Sequence, residues 1–252
     1  GNFFDNFNVF AYGTEVENEN FNASNGTYSG ELGLKLPDGK FNLSVSTWSD
    51  LLVVDREYSV EMVGGEVASI KDLQTLVETP STGGFYQLQP YKANLVATLV
   101  DASDVPIDLS QYGTGAKLEY ATGFTTSVEN FGQRTQVKPD GRVGFYVSEA
   151  GSYKVTIEQP QGGSDFGGLT LDNLPVSNPA VVQDLGRIEL PLKNFKFTVT
   201  APGETDNLRN ISGQLSKVGE YRSTYISNGN SDVAGAYISS AGTYELRIEK
   251  PY

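Results

Sequence analysis

A 17-residue segment of this chain occurs twice. Gly144-Phe-Tyr-Val-Ser-Glu-Ala-Gly-Ser-Tyr-Lys-Val-Thr-Ile-Glu-Gln-Pro160 returns 91 residues later as Gly235-Ala-Tyr-Ile-Ser-Ser-Ala-Gly-Thr-Tyr-Glu-Leu-Arg-Ile-Glu-Lys-Pro251, without a gap and with nine of the 17 positions identical. A spaced internal match marks tandem domains, so the 252 residues are read as repeats and not as one fold. The spacing sets an expected domain of about 90 to 110 residues, enough for each to bury a core of its own.

Within the repeat, apolar residues alternate with polar ones. Tyr153, Val155 and Ile157 share one side of an extended chain, and Lys154, Thr156 and Glu158 share the other. Tyr244, Leu246 and Ile248 opposite Glu245, Arg247 and Glu249 keep the same partition, so both apolar sets are expected to face a core. A looser copy at Gly33 to Val45, matching with one gap, makes Phe41, Leu43 and Val45 the inward set of an earlier unit. Period-two runs recur at Lys117 to Tyr120 and Phe195 to Val199, and no long stretch keeps a helical period. Pro37-Asp-Gly39, Pro139-Asp-Gly141 and Asn228-Gly229 punctuate these runs with residues that tolerate tight turns. The expected class is all-β, built of tandem Ig-like β-sandwiches.

Aligning the units outward from the repeated hairpin sets their bounds. The middle unit, 92–193, has strands at Ala93 to Val100 and Ala116 to Thr122 before the hairpin, then Leu169 to Leu171 and Arg187 to Leu190 after it. The first unit, 1–91, has only Asn8 to Tyr12 where two strands are expected, so its first strand is missing. The third, 194–252, stops before the closing strands. One complete domain between two incomplete ones is expected of a segment from a longer array. The connectors Gln89 to Lys92 and Pro191 to Asn194 are short, which limits hinge freedom.

Composition removes several function classes. There is no cysteine and no histidine, so Ser-His-Asp and Cys-His nucleophiles and Cys or His metal sites are excluded. With 31 acidic and 18 basic residues, a net charge of -13 repels a phosphate backbone, and no nucleic-acid partner is expected. The longest apolar stretches, Leu51 to Val54 and Leu95 to Val100, fall far short of the roughly 20 residues that cross a bilayer, so no membrane insertion is expected. No basic segment followed by an apolar one opens the chain. Its Thr, Ser, Asn, Gly and Tyr richness with 19% charged residues nonetheless leans toward an extracellular or cell-surface protein whose signal lies outside the sequence.

Candidate sites are few. Asp101, Asp104 and Asp108 cluster between two strands of the middle unit, where a hard cation such as Ca2+ could be shared; a solvated loop is the competing reading. Trp48 could stack on a sugar if exposed, or cap the first unit's core. Asn228-Gly-Asn-Ser-Asp232 starts like a calcium loop but lacks the glycine and glutamate such a loop needs later, which favours a hairpin turn. Asp165-Phe-Gly167 spells a kinase magnesium motif without the histidine and glycine-rich loop that accompany it, and reads as a loop. Paired carboxylates could serve a glycosidase, but small repeated domains leave little depth for a cleft. No catalytic residue and no cofactor is expected.

The run Pro139 to Ile157, followed by Asp184-Leu-Gly-Arg-Ile-Glu-Leu190, resembles the carboxypeptidase-regulatory-like domain, a transthyretin-like seven-stranded sandwich. Ala150 departs from that family's usual proline before Gly151. The likeness covers the middle unit most fully and implies a noncatalytic structural or adhesive module of cell-surface proteins. Cna B-type domains of Gram-positive adhesins and pilins are similar too and crosslink Lys to Asn or Asp through a buried acid. Here Glu158 and Glu249 each follow their tyrosine by five residues, which turns both outward and disfavours such a bond unless a β-bulge reverses the direction. The expected function is a stalk, filament or adhesin segment; the alternative is a carbohydrate- or protein-binding accessory module of a secreted enzyme. Expected partners are other domains of a longer chain or neighbouring copies joined by strand addition, and a surface glycan or protein.

Overall fold

A computed structural model describes residues 7–13, 20–24, 34–47, 52–120, 133–203, 205–221 and 223–249. The chain is all-β: apart from one 3₁₀ turn at Ser110–Tyr112, every regular element among the described residues is a strand. Contacts divide it into two units, one of residues 1–96, 144–150 and 178–184, the other of 97–143, 151–177 and 185–252.

The first unit opens with β1 (Phe7–Gly13), β2 (Asn20–Ser24) and β3 (Gly39–Thr47). Then come β4 (Val53–Val54), β5 (Arg56–Val63), β6 (Glu66–Asp72), β7 (Ser81–Thr82), β8 (Phe85–Tyr86) and β9 (Tyr91–Lys92). Five of them form an antiparallel sheet in the order β2-β1-β3-β5-β6. Phe41, Leu43 and Val45 alternate inward from the central β3 and meet Val9, Tyr58, Val60, Met62 and Ile70. The Asp38 turn serves the neighbouring hairpin: its carboxylate accepts the N–H groups of Gly64 and Gly65 at 2.9 and 2.7 Å. Those glycines hold φ of 64° and 79°, a left-handed pair that suits a two-residue hairpin turn.

The middle strands are β10 (Leu95–Val100), β11 (Gly115–Tyr120), β12 (Gln133–Gln136), β13 (Arg142–Phe145), β14 (Gly151–Ile157), β15 (Leu169–Val176) and β16 (Gln183–Glu189). They make two sheets, β12-β11-β14-β15 and β13-β10-β16. Tyr153, Val155 and Ile157 are buried while Lys154 and Thr156 face the other way, as the alternation requires. Glu158 keeps that outward parity and pairs with Lys117 at 3.0 Å. A register shift occurs in β14 between Tyr153 and Val155, but only in its pairing with β15.

The last strands are β17 (Phe195–Phe197), β18 (Ser212–Lys217), β19 (Ser223–Ser227), β20 (Ala234–Ala236) and β21 (Tyr244–Glu249). Their sheets are β17-β20 and β19-β18-β21, around a core of Ile211, Leu215, Ile226, Ala234 and Ala236. The order β19-β18-β21 repeats β12-β11-β14 in register: Leu215 lies opposite Leu246 as Leu118 lies opposite Val155, and Gly213 opposite Ile248 as Ala116 opposite Ile157.

Two expectations give way. Ile248, expected in the core from its alternation, is 41% exposed, against 1% for its counterpart Ile157. The reason is position: β14 lies between β11 and β15, whereas β21 pairs only with β18 among the described residues. Asn228 does not begin a hairpin, because β19 and β20 belong to different sheets. Its buried side chain instead accepts the Ile211 N–H at 2.9 Å and donates to the Leu208 carbonyl at 2.8 Å, while Asp232 pairs with Arg209.

Candidate functional site

Polar contacts gather around the two segments expected to be connectors, Gln89 to Lys92 and Pro191 to Asn194. At the first, Asp72 closes β6 and is fully buried. One carboxylate oxygen accepts the N–H groups of Gln74 and Thr75, each at 2.7 Å, shaping the turn that follows the strand. The other oxygen accepts from Arg56 Nε and from the Tyr91 hydroxyl. The Arg56 guanidinium lies over two rings, 5.0 Å from the centre of Tyr58 and 4.4 Å from that of Tyr91. Tyr91 stacks in turn on Tyr146, with ring centres 3.8 Å apart and planes within 3°.

This cluster grips the connector by its backbone. The Tyr58 hydroxyl donates to the Gln89 carbonyl at 3.1 Å and accepts the Gln89 N–H at 3.2 Å. Tyr91 and Lys92 pair as β9 with β4, and Val54, Tyr91 and Ala93 form a small apolar core of their own. Burial resists ionisation of Asp72, but the Tyr91 hydroxyl, the Thr75 N–H and Arg56 together hold its carboxyl below the usual range. Burial and the bond to Asp72 push the Tyr91 phenol far above its ordinary value, so it remains a donor.

The second segment is held by other residues. The Pro191 carbonyl accepts the Gly167 N–H at 2.7 Å, the Lys193 N–H donates to the Asp165 carbonyl at 2.8 Å, and Phe166 bridges to Leu192. Lys196 Nζ donates to Asp165 Oδ1 at 2.5 Å, and that bond lowers the Asp165 pKa. The Lys193 side chain is buried, which draws its pKa down. Gln159 donates to the Phe166 carbonyl at 3.1 Å and accepts from the N–H groups of Gly168 and Tyr237 at 3.1 and 3.3 Å. Gly167 has no room for a Cβ, which would collide with that of Tyr237. Asp165-Phe-Gly167 is therefore a packing loop of the connector.

Two residues after the first segment, and as the last residue of the second, stands an asparagine with a bonding role that its sequence position did not announce. Asn94, one residue before β10, accepts the Val147 N–H at 2.8 Å and donates to the carbonyls of Val147 and Pro179 at 2.8 and 2.6 Å. Asn194, one residue before β17, accepts the Ile238 N–H at 2.8 Å and donates to the Ile238 carbonyl at 2.9 Å. Val147 and Ile238 are equivalent positions of the internal repeat. The repeated glycine three residues earlier has a matching cause: a Cβ on Gly144 would sit 2.7 Å from that of Ala93, and one on Gly235 would strike the Phe195 carbonyl oxygen. The available signal was the recurrence of Asn before an apolar strand at Asn94-Leu95 and Asn194-Phe195.

The three candidate acids serve separate local roles. Asp101 Oδ1 accepts the N–H groups of Ser103 and Val105, both at 2.9 Å. Asp104, at φ 62°, pairs with Arg187 Nε at 2.5 Å, and Asp108 accepts the N–H and hydroxyl of Ser110. No group of three metal-ligating side chains converges among the described residues. Trp48 lies outside the described residues. An open groove of about 770 Å³ is lined by Gln161, Thr170, Asp172, Tyr225, Tyr237 and Ser239, among others. Among the described residues, no helix is long and apolar enough to cross a membrane.

Comparison with known proteins returns little. No family model matches the chain, and no curated protein matches it. A solved structure described as that of the streptococcal ancillary pilin aligns with 97% of this chain and 83% of its own at 12% identity and a TM-score of 0.26, too loose a superposition to carry an argument.

Proposed function

We propose that this chain is a noncatalytic structural or adhesive segment of an extracellular or cell-surface protein, with tandem β-sandwich domains at 1–91, 92–193 and 194–252. Its role is to transmit length and stiffness, as a stalk or filament does. The observation behind this reading is that both joints are held: Tyr58, within the Asp72, Arg56 and Tyr91 cluster, bonds the Gln89 backbone at one, and backbone bonds tie Pro191 and Lys193 to the Asp165–Gly167 loop at the other. Four-residue joints held in this way cost conformational freedom that a mere tether has no reason to lose. Further domains of a longer chain or neighbouring copies are the proposed partners.

The absence of cysteine allows clean spin labelling. Cysteines placed at the exposed Glu66 and Lys117 should give a narrow distance distribution that broadens in Asp72→Ala. A distribution equally broad in the parent would remove the stiffness argument.

A second reading, an accessory module that binds carbohydrate, is favoured by the groove. Tyr225 is 47% exposed there, beside hydroxyl, amide and carboxylate groups suited to a neutral saccharide. Shifts of the Tyr225 and Tyr237 resonances on titration with neutral oligosaccharides would support it over the stalk.

A further inference from the structure

We infer that the outer edge of β19 is a docking site for an extended peptide of a separate protein, which adds as a further strand along Ser223–Ser227 inside the groove. The inference is independent of the stalk reading and competes with the saccharide reading for the same space.

Backbone direction alternates along β19, and two bonds fix its phase. The Asn228 N–H donates to the Ile211 carbonyl at 3.4 Å, continuing the pairs Gly213–Ile226 and Leu215–Thr224. The backbone groups of Thr224, Ile226 and Asn228 therefore point at β18, and those of Ser223, Tyr225 and Ser227 point away from it. The Ser227 carbonyl shows that outward direction, since it accepts the Gly162 N–H at 3.0 Å. Among the described residues no strand continues this outer ladder beside Tyr225 and Ser223. Each turns an N–H and a C=O outward, and residues 223–225 line the groove.

This edge does not depend on where the sequence ends. β12 holds the equivalent place in the middle repeat, whose sheet β12-β11-β14-β15 carries one strand more than β19-β18-β21, and β12 is still its outermost strand among the described residues. The repeat thus extends its sheet on the other side and leaves this one open, so its own continuation is not the occupant. The chain itself supplies a single rung here, from Gly162.

Sheet edges are normally blunted by proline, charge or a bulge. Ser223-Thr-Tyr-Ile-Ser227 has no proline and no charge, and its pairing with β18 is unbroken. Main-chain bonds to Ser223 and Tyr225 supply affinity, and the groove supplies selectivity. A residue directly opposite Tyr225 shares its face, so an aromatic or β-branched side chain fits against the exposed ring. The lining sets Lys117 against Glu158 and adds the exposed Asp172, which favours a lysine or arginine in the incoming strand.

The test titrates the full chain with the peptide Thr-Lys-Val-Tyr-Val-Lys-Thr and follows amide hydrogen exchange. In the free chain the amides of Ser223 and Tyr225 should exchange faster than those of Thr224 and Ile226, at every protein concentration. The peptide should slow Ser223 and Tyr225 about tenfold or more and leave Thr224 and Ile226 unchanged. The same peptide N-methylated at alternate residues, on its pairing side, should have no effect, and Asp172→Lys, at an exposed position, should weaken the response to the parent peptide. Equal slowing by the methylated peptide, or no slowing by either, would overturn the proposal. So would protection of Tyr225 in the free chain, which would mean that the chain covers its own edge, or protection that grows with protein concentration, which would make a second copy the occupant. Binding of neutral oligosaccharides without any response to the peptide would assign the groove to the saccharide instead.

Discussion

Asn194 holds the backbone of Ile238 from both sides, its Oδ1 accepting the N–H at 2.8 Å and its Nδ2 donating to the carbonyl at 2.9 Å. Asn94 holds Val147 in the same way and adds a bond to Pro179. Because Asn194 is exposed and Asn94 half-buried, the two should differ in cost. Asn194→Ala is expected to destabilise by about 1 kcal/mol and Asn94→Ala by about 2 kcal/mol, measured by denaturant unfolding. Equal losses would mean that water replaces the protein partners at both sites.

The Asp72 cluster should respond to acid. Its carboxyl titrates below the ordinary 3.8 in the folded chain. Its contribution is therefore complete above that pH and is lost as pH falls through the lower folded value. Thermal unfolding followed from pH 5 down to pH 2 should show a steeper loss in the parent than in Asp72→Asn, which has no carboxyl to protonate. Parallel profiles would show that the Asp72 carboxyl titrates alike in the folded and unfolded chain, and a shallower loss in the parent would show that it stays protonated when folded.

Equivalent residues of the repeat should behave differently where their neighbours differ. Ile157→Ala removes a side chain that is 1% exposed and should cost about 2 to 5 kcal/mol. Ile248→Ala acts on one that is 41% exposed and should cost less than about 1 kcal/mol. A large loss at Ile248 in the isolated chain would mean that its edge is already covered.

Gly235→Ala should be poorly tolerated although its φ is ordinary, since the new Cβ would strike the Phe195 carbonyl oxygen between β20 and β17. The expected cost is about 1 to 3 kcal/mol. Gly203→Ala is the useful contrast, with open space but a φ of 85°. Unfolding curves for the pair separate crowding from backbone strain.

Strand faces were legible because period-two alternation is a local property. Phe41, Leu43 and Val45, like Tyr153, Val155 and Ile157, are buried as their spacing requires. The all-β class followed from the same pattern and its turn residues. The side-chain contacts around Gln89 to Lys92 were not visible. Asp72 draws Arg56 from 16 residues away and Tyr91 from 19 residues away. Nothing in the local spacing of a polar residue says which of many possible partners the fold will bring to it. The exposure of Ile248 has the same origin: alternation chooses the face of a strand, but only the neighbours placed beside it decide whether that face is covered.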